Sequence, residues 1–143
     1  MARDGQVQRH VVAKAEDIAP GERLAVSVGN RDIAIFNVDG GYYALANRCP
    51  HEGGPLCGGL ITGIALSDGP NDYRISRKGE FIRCPWHGWE FDIKTGQSWC
   101  DPKSVRARQF NVRVTPGAEL VAGPYKAETL QVRRDGDYLV IEL

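Results

Sequence analysis

The sequence predicts an all-β fold, an antiparallel sandwich or barrel base with a separate lobe inserted between its early and late strands. Glycine and proline, 17 and 8 of the 143 residues, divide the chain into short segments. The 3.6-residue apolar period of a long amphipathic helix is missing, and residues 15–18 suit one helical turn. We expect one domain over residues 1–143, with base strands in about 1–46 and 92–143 and the lobe in about 47–91.

Seven segments have the alternation and the β-branched or aromatic content of strands. The four early strands are predicted at residues 7–14, 24–28, 32–37 and 42–47. The three late strands are predicted at residues 105–114, 126–133 and 138–143. The dipeptides Asp39-Gly40 and Asp135-Gly136 indicate tight hairpin turns before the fourth strand and before the last strand.

Two short motifs in the lobe carry the chemistry. Cys49-Pro50-His51 and, 32 residues later, Cys84-Pro85-Trp86-His87 each supply one thiolate and one imidazole. A proline after each cysteine and glycines around both motifs predict loops in which the backbone can approach a ligand closely. Two thiolates and two imidazoles suit an iron–sulfur cluster with both histidines on one iron, and they also suit a structural Zn²⁺ ion.

Around these motifs the sequence resembles the Rieske [2Fe–2S] family. Residues 84–92 with Thr95-Gly96, and residues 49–56, are similar to the two cluster loops of aromatic-ring-hydroxylating oxygenase components and their ferredoxins. The resemblance implies a Rieske-type antiparallel base and one [2Fe–2S] cluster per chain. The implied metal ligands are Cys49, His51, Cys84 and His87. Zinc is less favoured, because zinc fingers usually place both cysteines in one motif and both histidines in the other.

The chain departs from the Rieske proteins of respiratory complexes at the second loop. Those proteins have a disulfide beside the cluster, whereas Trp86 occupies the position of one of its cysteines here. They also carry serine and tyrosine hydroxyls where this chain has Trp89 and Phe91. Because hydrogen bonds to the sulfurs help to set the potential, we expect a potential at the low end of the Rieske range, near about −150 mV.

The spacing of 32 residues between the motifs exceeds the usual spacing in small Rieske ferredoxins. Residues 61–80 account for the extra length, with turn-forming residues at 67–72. We expect residues 73–76 and 80–83 to pair as a short hairpin around Lys78-Gly79. This insertion is either a partner-docking element or a tolerated surface insertion.

Several further residues near the motifs have two interpretations. Cys57 is expected to be a small buried residue, with a place near the cluster as the alternative, and Cys100 is expected to be structural. A disulfide between them is possible but is disfavoured in a reducing compartment. Trp86 and Trp89 are expected to shield the cluster from water or, alternatively, to contact a partner. Basic residues flank the second loop: Arg74, Arg77, Lys78, Arg83, Lys103, Arg106, Arg108 and Arg113. They form either a solvated face or a rim that steers an acidic partner.

Composition narrows the classes of partner. Lysine plus arginine and aspartate plus glutamate number 18 each, and this balance argues against a nucleic-acid partner. No apolar run approaches the roughly 18 residues that span a bilayer. Residues 1–5 also lack the apolar segment of a signal peptide. The sequence therefore predicts a cytoplasmic protein with no membrane partner.

The predicted function is that of a one-electron carrier between a flavoprotein or ferredoxin reductase and a terminal oxygenase or similar acceptor. A complete Rieske oxygenase also needs a mononuclear iron held by two histidines and a carboxylate. The chain has three histidines, and His10 alone remains once the cluster is ligated, so we expect no enzyme activity from this chain by itself. A small Rieske subunit of a larger oxidoreductase, such as nitrite reductase, and a redox sensor are the alternatives.

Overall fold

The structure, a computed structural model, describes residues 8–50, 54–86, 88–99, 101–127 and 130–143. These residues contain nine strands: β1 (Arg9–Lys14), β2 (Arg23–Val28), β3 (Arg31–Val38), β4 (Gly41–Ala46), β5 (Leu60–Gly69), β6 (Asp72–Arg83), β7 (Glu90–Asp92), β8 (Gln109–Pro116) and β9 (Asp137–Glu142). They also contain one α-helix, α1 (Gly117–Val121), and single 3₁₀ turns at Ala15–Asp17 and Leu56–Gly58. None of the helices in these ranges is long and apolar enough to cross a membrane.

The base is a six-stranded antiparallel sheet with the strand order β1-β9-β8-β4-β3-β2. Strand β3 is buried on both faces from residue 33 to residue 38. On one face, Ile33 and Ile35 pack in a core that β9 shares. On the opposite face, Ala34 and Phe36 pack in a second core that contains residues of the lobe. Strand β3 therefore holds the lobe against the base.

The lobe has its own sheet, in which β6 lies between β5 and β7. Strands β5 and β6 form one long antiparallel hairpin that turns at residues 70–71. The expected short hairpin around Lys78-Gly79 is wrong, because residues 73–83 all belong to β6. Gly79, which was expected to form a turn, instead lies in a bulge of β6 and has a φ of 83°. Residues 77–80 of β6 lie opposite the single residue Gly63 of β5.

Most strands of the base lie where the sequence predicted them. The four early strands begin and end within two residues of their predicted limits. Asp39 and Gly40 have φ values of 51° and 91°, as a two-residue hairpin turn with two left-handed residues requires. The last strand and the helical turn near residue 15 are also confirmed, whereas β8 begins at Gln109 rather than at residue 105.

The prediction of a strand at residues 126–133 is wrong. The residues of this segment that the structure describes do not form one. Within that part Lys126 alone forms a β-bridge, to β1, and the chain then runs irregularly. The buried ring of Tyr138 explains this path, because its hydroxyl accepts a hydrogen bond from the amide of Arg133 at 2.8 Å. Val132 packs in the same core cluster as that ring. The apolar residues of this segment thus reach the core without a strand ladder.

Candidate metal centre

Two of the four predicted ligands, Cys49 and Cys84, lie at the junction between the lobe and the base. Cys49 follows β4 and Cys84 follows β6, so each lies just beyond the end of a strand. Each residue is 1% exposed, and both belong to the same core cluster as Phe36 of β3. Two buried thiol side chains on separate loops, packed in one apolar cluster, suit a metal centre with soft ligands.

The first loop is closed by hydrogen bonds on both sides of its cysteine. The amide of Cys49 donates to the carbonyl oxygen of Gly54 at 2.7 Å. The side-chain oxygen Oδ1 of Asn47 accepts a hydrogen bond from the amide of Cys57, also at 2.7 Å. Leu56, which is fully buried, anchors the 3₁₀ turn that follows. These contacts fix the backbone that positions Cys49.

A side chain of the base holds the end of the first loop. Arg23 of β2 donates from Nε to the carbonyl oxygen of Cys57 at 3.0 Å and from Nη2 to that of Gly59 at 2.7 Å. Gly59 also lies directly against β6, where a Cβ atom would overlap the carbonyl oxygen of Arg83. The loop is therefore held between β2 on one side and β6 on the other.

The second loop is closed by two backbone hydrogen bonds that involve its cysteine. The amide of Cys84 donates to the carbonyl oxygen of Trp89 at 2.7 Å. The amide of Gly88 donates to the carbonyl oxygen of Cys84 at 3.0 Å. Gly88 has a φ of 73°, which residues with side chains rarely adopt. This turn returns the chain as β7, which pairs with β6.

The two loops meet at a glycine. A Cβ atom on Gly54 would lie 3.1 Å from Cys84 Sγ and 3.0 Å from the indole ring of Trp86. The backbone of the first loop therefore packs against the sulfur and the ring of the second loop, without room for a side chain. This contact brings the two cysteine-bearing loops together, as a cluster with ligands from both loops requires.

The described residues fit a [2Fe–2S] centre. They provide two buried thiols from facing loops, and a glycine backbone packed against one sulfur, where backbone groups can approach closely. His51 and His87 lie outside the described residues, so their role as ligands stays a prediction.

Cys57 carries a free thiol that is partly buried. Burial raises the pKa of this thiol, and the positive charge of Arg23 opposes part of that rise. Its backbone anchors the loop, because its amide donates to Asn47 and its carbonyl oxygen accepts from Arg23. The structure holds Cys57 as a free cysteine, and Cys100 lies outside the described residues, so the expectation for the pair stays a prediction.

Trp86 and Trp89 have different surroundings. Trp89 is partly buried and packs against the core cluster that contains both cysteines. Trp86 lies against Gly54 and is nevertheless 57% exposed. The surroundings of Trp89 therefore fit the expected shielding role, whereas those of Trp86 fit the alternative, which is contact with a partner.

The carboxylates that follow the second loop make structural contacts. Glu90 accepts a hydrogen bond from the hydroxyl of Thr62 at 2.9 Å and pairs with Arg83 at 3.6 Å. Asp92 pairs with Arg77 at 2.7 Å, and this hydrogen bond raises the pKa of the guanidinium. Two of the basic residues near the second loop are therefore paired within the chain.

The sequence carried no signal for two residues that hold the first loop. Arg23 contacts residues more than 30 positions away, and Asn47 accepts a hydrogen bond from a residue 10 positions away. A single polar residue in or after a strand does not indicate such a contact. The glycines beside the motifs were the available signal for close packing between the loops.

The chain is similar in sequence to two ferredoxins. Ferredoxin CarAc of Metapseudomonas resinovorans is 34% identical over 117 residues, covering 80% of this chain and 94% of the relative. The ferredoxin component of the naphthalene 1,2-dioxygenase/salicylate 5-hydroxylase systems of Ralstonia sp is 27% identical over 99 residues, covering 69% of this chain and 80% of the relative.

A solved structure described as a putative nitrite reductase NADPH (small subunit) oxidoreductase protein shares the fold. Its TM-score is 0.59 at 18% identity, covering 92% of this chain and 97% of that protein. A model of the Rieske [2Fe-2S] domain family matches residues 8–113, which include both cysteine loops. The chain therefore belongs to the Rieske [2Fe–2S] domain family, whose cofactor is a [2Fe–2S] cluster.

Proposed function

We propose that the chain is a one-electron carrier, which receives electrons from a flavoprotein or ferredoxin reductase and passes them to a terminal oxygenase or similar acceptor. One observation carries the proposal: the sulfur of Cys84 is buried, yet the neighbouring Trp86 is 57% exposed. A centre at this place is shielded from water and lies close to a surface that a partner can contact. Both properties suit electron transfer between proteins.

The proposed ligands are Cys49 and Cys84 on one iron and His51 and His87 on the other. When bound, a cluster of this kind supplies reversible one-electron chemistry. The residues of the chain bury the two sulfurs and hold the two loops together at Gly54. With His10 as the remaining histidine, the chain has too few histidines for the mononuclear iron of an oxygenase.

The relatives support the class of partner. Ferredoxin CarAc and the Ralstonia protein are both described as ferredoxins, and the second belongs to dioxygenase and hydroxylase systems. The chain spans 94% and 80% of their lengths. The proposed compartment is the cytoplasm, where a reducing environment keeps cysteines as thiols.

A small subunit of a larger oxidoreductase is the second candidate, because the chain covers 97% of the putative nitrite reductase small subunit at a TM-score of 0.59. The likeness to that protein concerns the fold alone. Purification of the chain from its own host at low ionic strength separates the two candidates. A carrier elutes as a small protein, whereas a subunit co-elutes with a larger redox chain in a fixed ratio.

The proposed function predicts a reversible one-electron titration with a midpoint near about −150 mV. The positions that carry hydroxyls in respiratory Rieske proteins are Trp89, which is partly buried, and Phe91, which is fully buried beside the cysteines. Neither side chain can donate a hydroxyl hydrogen bond to a sulfur. Spectroelectrochemistry on the holoprotein measures the midpoint, and a value above about +100 mV contradicts the expectation.

The Phe91→Tyr variant tests the reason for this low potential. It returns a hydroxyl to a position in the same core cluster as Cys49 and Cys84. If hydrogen bonds to sulfur set the potential, the variant has a higher midpoint than the unmodified protein. An unchanged midpoint, with unchanged visible absorption, shows that the absence of this hydroxyl is not the cause.

A further inference from the structure

We propose that a groove beside the first cluster loop binds an acidic surface of a protein redox partner. We call it the arginine groove; it is open, has a volume of about 660 Å³, and is lined by Arg31, Arg48, Arg108, Asn47, Pro55 and Phe110. The proposal rests on the proposed electron-carrier function and names the surface and the charge of the partner.

Two arginines of the groove are held on one aromatic ring. The guanidinium carbon of Arg108 lies 4.9 Å from the centre of the Phe110 ring, and that of Arg31 lies 5.9 Å from it. Both distances are within the range of cation–π attraction. Phe110 itself is set by β8, where it pairs with Ala44 of β4. The ring therefore orders two positive side chains that are exposed to solvent.

The groove is continuous with the cysteine loops. Arg48 is the residue directly before Cys49, and Pro55 is the residue directly after Gly54, which packs against Cys84 Sγ and Trp86. The first loop thus joins the groove, through Arg48 and Pro55, to the contact at Gly54 with the exposed Trp86. Arginine and tryptophan are the residues enriched at the centres of protein interfaces.

The charge of the groove is not balanced within the described part of the chain. None of the three arginines that line it forms an ion pair or a hydrogen bond with a side chain that the structure describes. Asp32, a carboxylate at the groove, accepts a hydrogen bond from the hydroxyl of Ser27 at 2.9 Å. The groove therefore presents net positive charge, which a partner with acidic side chains complements.

Three other arginines of the chain, by contrast, are paired with carboxylates. Arg77, Arg83 and Arg113 form ion pairs with carboxylates of the chain at 2.7 Å, 3.6 Å and 3.1 Å. The formal charge of the whole chain is zero, so the positive groove is a local feature. A neutral chain does not suit nucleic acid, whereas a local positive patch beside an electron-transfer centre suits an acidic redox protein.

The test compares Arg48→Glu with Arg134→Glu, which changes the total charge by the same amount at a remote place. Arg134 lies near the far end of β8, because the amide of Gly117 donates to the carbonyl oxygen of Gly136. The rise of β8 separates that end from the groove by about 20 Å. Both arginines are exposed, and circular dichroism and visible absorption confirm that each variant holoprotein is folded and loaded.

Stopped-flow absorbance measures electron transfer from a reduced, acidic plant-type ferredoxin to each oxidised holoprotein. One electron passes from the plant-type cluster, near about −400 mV, to the cluster of this chain at its higher potential. We expect the rate constant to fall with ionic strength, and to fall roughly tenfold in Arg48→Glu at low salt, with little change in Arg134→Glu. Basic cytochrome c, as an electron acceptor, should show no such loss in Arg48→Glu.

Equal rate constants for the two variants with the acidic ferredoxin overturn the proposal that the arginine groove binds an acidic partner. The proposed carrier function is not affected by that result. Binding of short duplex DNA that is lost in Arg48→Glu, with unchanged electron-transfer rates, also overturns the groove proposal. If the unmodified holoprotein exchanges electrons with neither protein and not with an electrode, the carrier function itself fails, and the groove proposal fails with it.

Discussion

Replacing Cys84 by alanine is expected to abolish the iron content and the visible absorption of the purified protein. Cys84 is 1% exposed, and its sulfur faces the backbone of the first loop at Gly54. No other cysteine of the described second loop can replace it, because Trp86 occupies the position where respiratory Rieske proteins have one. Alanine is the sharper choice, since a serine oxygen can still bind iron.

The same change is expected to destabilise the lobe. Binding energy for a structural metal centre is folding energy, and here the centre links two loops that otherwise meet through a glycine contact and a shared core. The alanine variant should therefore lose its folded state at a lower temperature than the holoprotein does. Far-UV circular dichroism against temperature measures this loss.

Cys57→Ala is the matched control for the cysteine change. The Cys57 side chain is partly buried, whereas its anchoring hydrogen bonds to Asn47 and Arg23 use backbone atoms that the substitution keeps. We expect this variant to retain iron, sulfide and colour. A Cys84→Ala protein with the iron content and spectrum of the unmodified protein would remove Cys84 from the ligand set, and a colourless Cys57→Ala protein would add Cys57 to it.

Gly59→Ala is expected to lower the free energy of unfolding by about 3 kcal/mol or more. This is the second largest of the effects that we expect. A Cβ atom at Gly59 would overlap the carbonyl oxygen of Arg83, which belongs to the backbone of β6 and cannot rotate away. Residue 59 has a φ of −84°, which alanine adopts without strain, so the cost comes from the overlap alone. Relief would require the first loop to move away from β6 and from Arg23.

Gly58→Ala separates this overlap from a general effect of replacing glycine in the loop. A Cβ atom at Gly58 meets nothing closer than Cγ of Pro55 at 4.0 Å, so this substitution should be nearly neutral. The thermal midpoint of the Gly59→Ala holoprotein should fall by about 6–12 °C relative to that of Gly58→Ala. If the Gly59→Ala variant does not accumulate as folded holoprotein, it is destabilised even more strongly, and the expectation is also met. Equal midpoints for the two variants would show that the packing of Gly59 against β6 is not needed.

Local patterns explain which parts of the fold were predictable. The left-handed turn at Asp39-Gly40 and the alternation in the early strands depend on neighbouring residues, and both are confirmed. The cysteine motifs are equally local; Cys49 and Cys84 lie in one buried cluster, and their role as ligands stays a prediction. A pattern over a few residues carries this information without knowledge of the distant chain.

Long-range contacts explain the errors. The residues around Gly79 predict a turn when they are considered alone. Pairing with β5 instead makes residues 77–80 a bulge within one strand. The apolar residues at 126–133 predict a strand when they are considered alone. In the part of this segment that the structure describes, the hydroxyl of Tyr138 and the core cluster around its ring instead hold an irregular chain. The anchoring role of Arg23 likewise depends on loop carbonyls more than 30 residues away.

Electron paramagnetic resonance of the dithionite-reduced protein tests the central claim, that the chain holds one Rieske-type [2Fe–2S] cluster on its two loops. The measurement is paired with iron, sulfide and zinc analysis of the same sample. We predict about two irons and two sulfides per chain. We also predict a rhombic signal with an average g value below 2, which is absent before reduction. A colourless protein without a signal after reduction, and with stoichiometric zinc, would contradict the claim and leave a zinc-stabilised binding module.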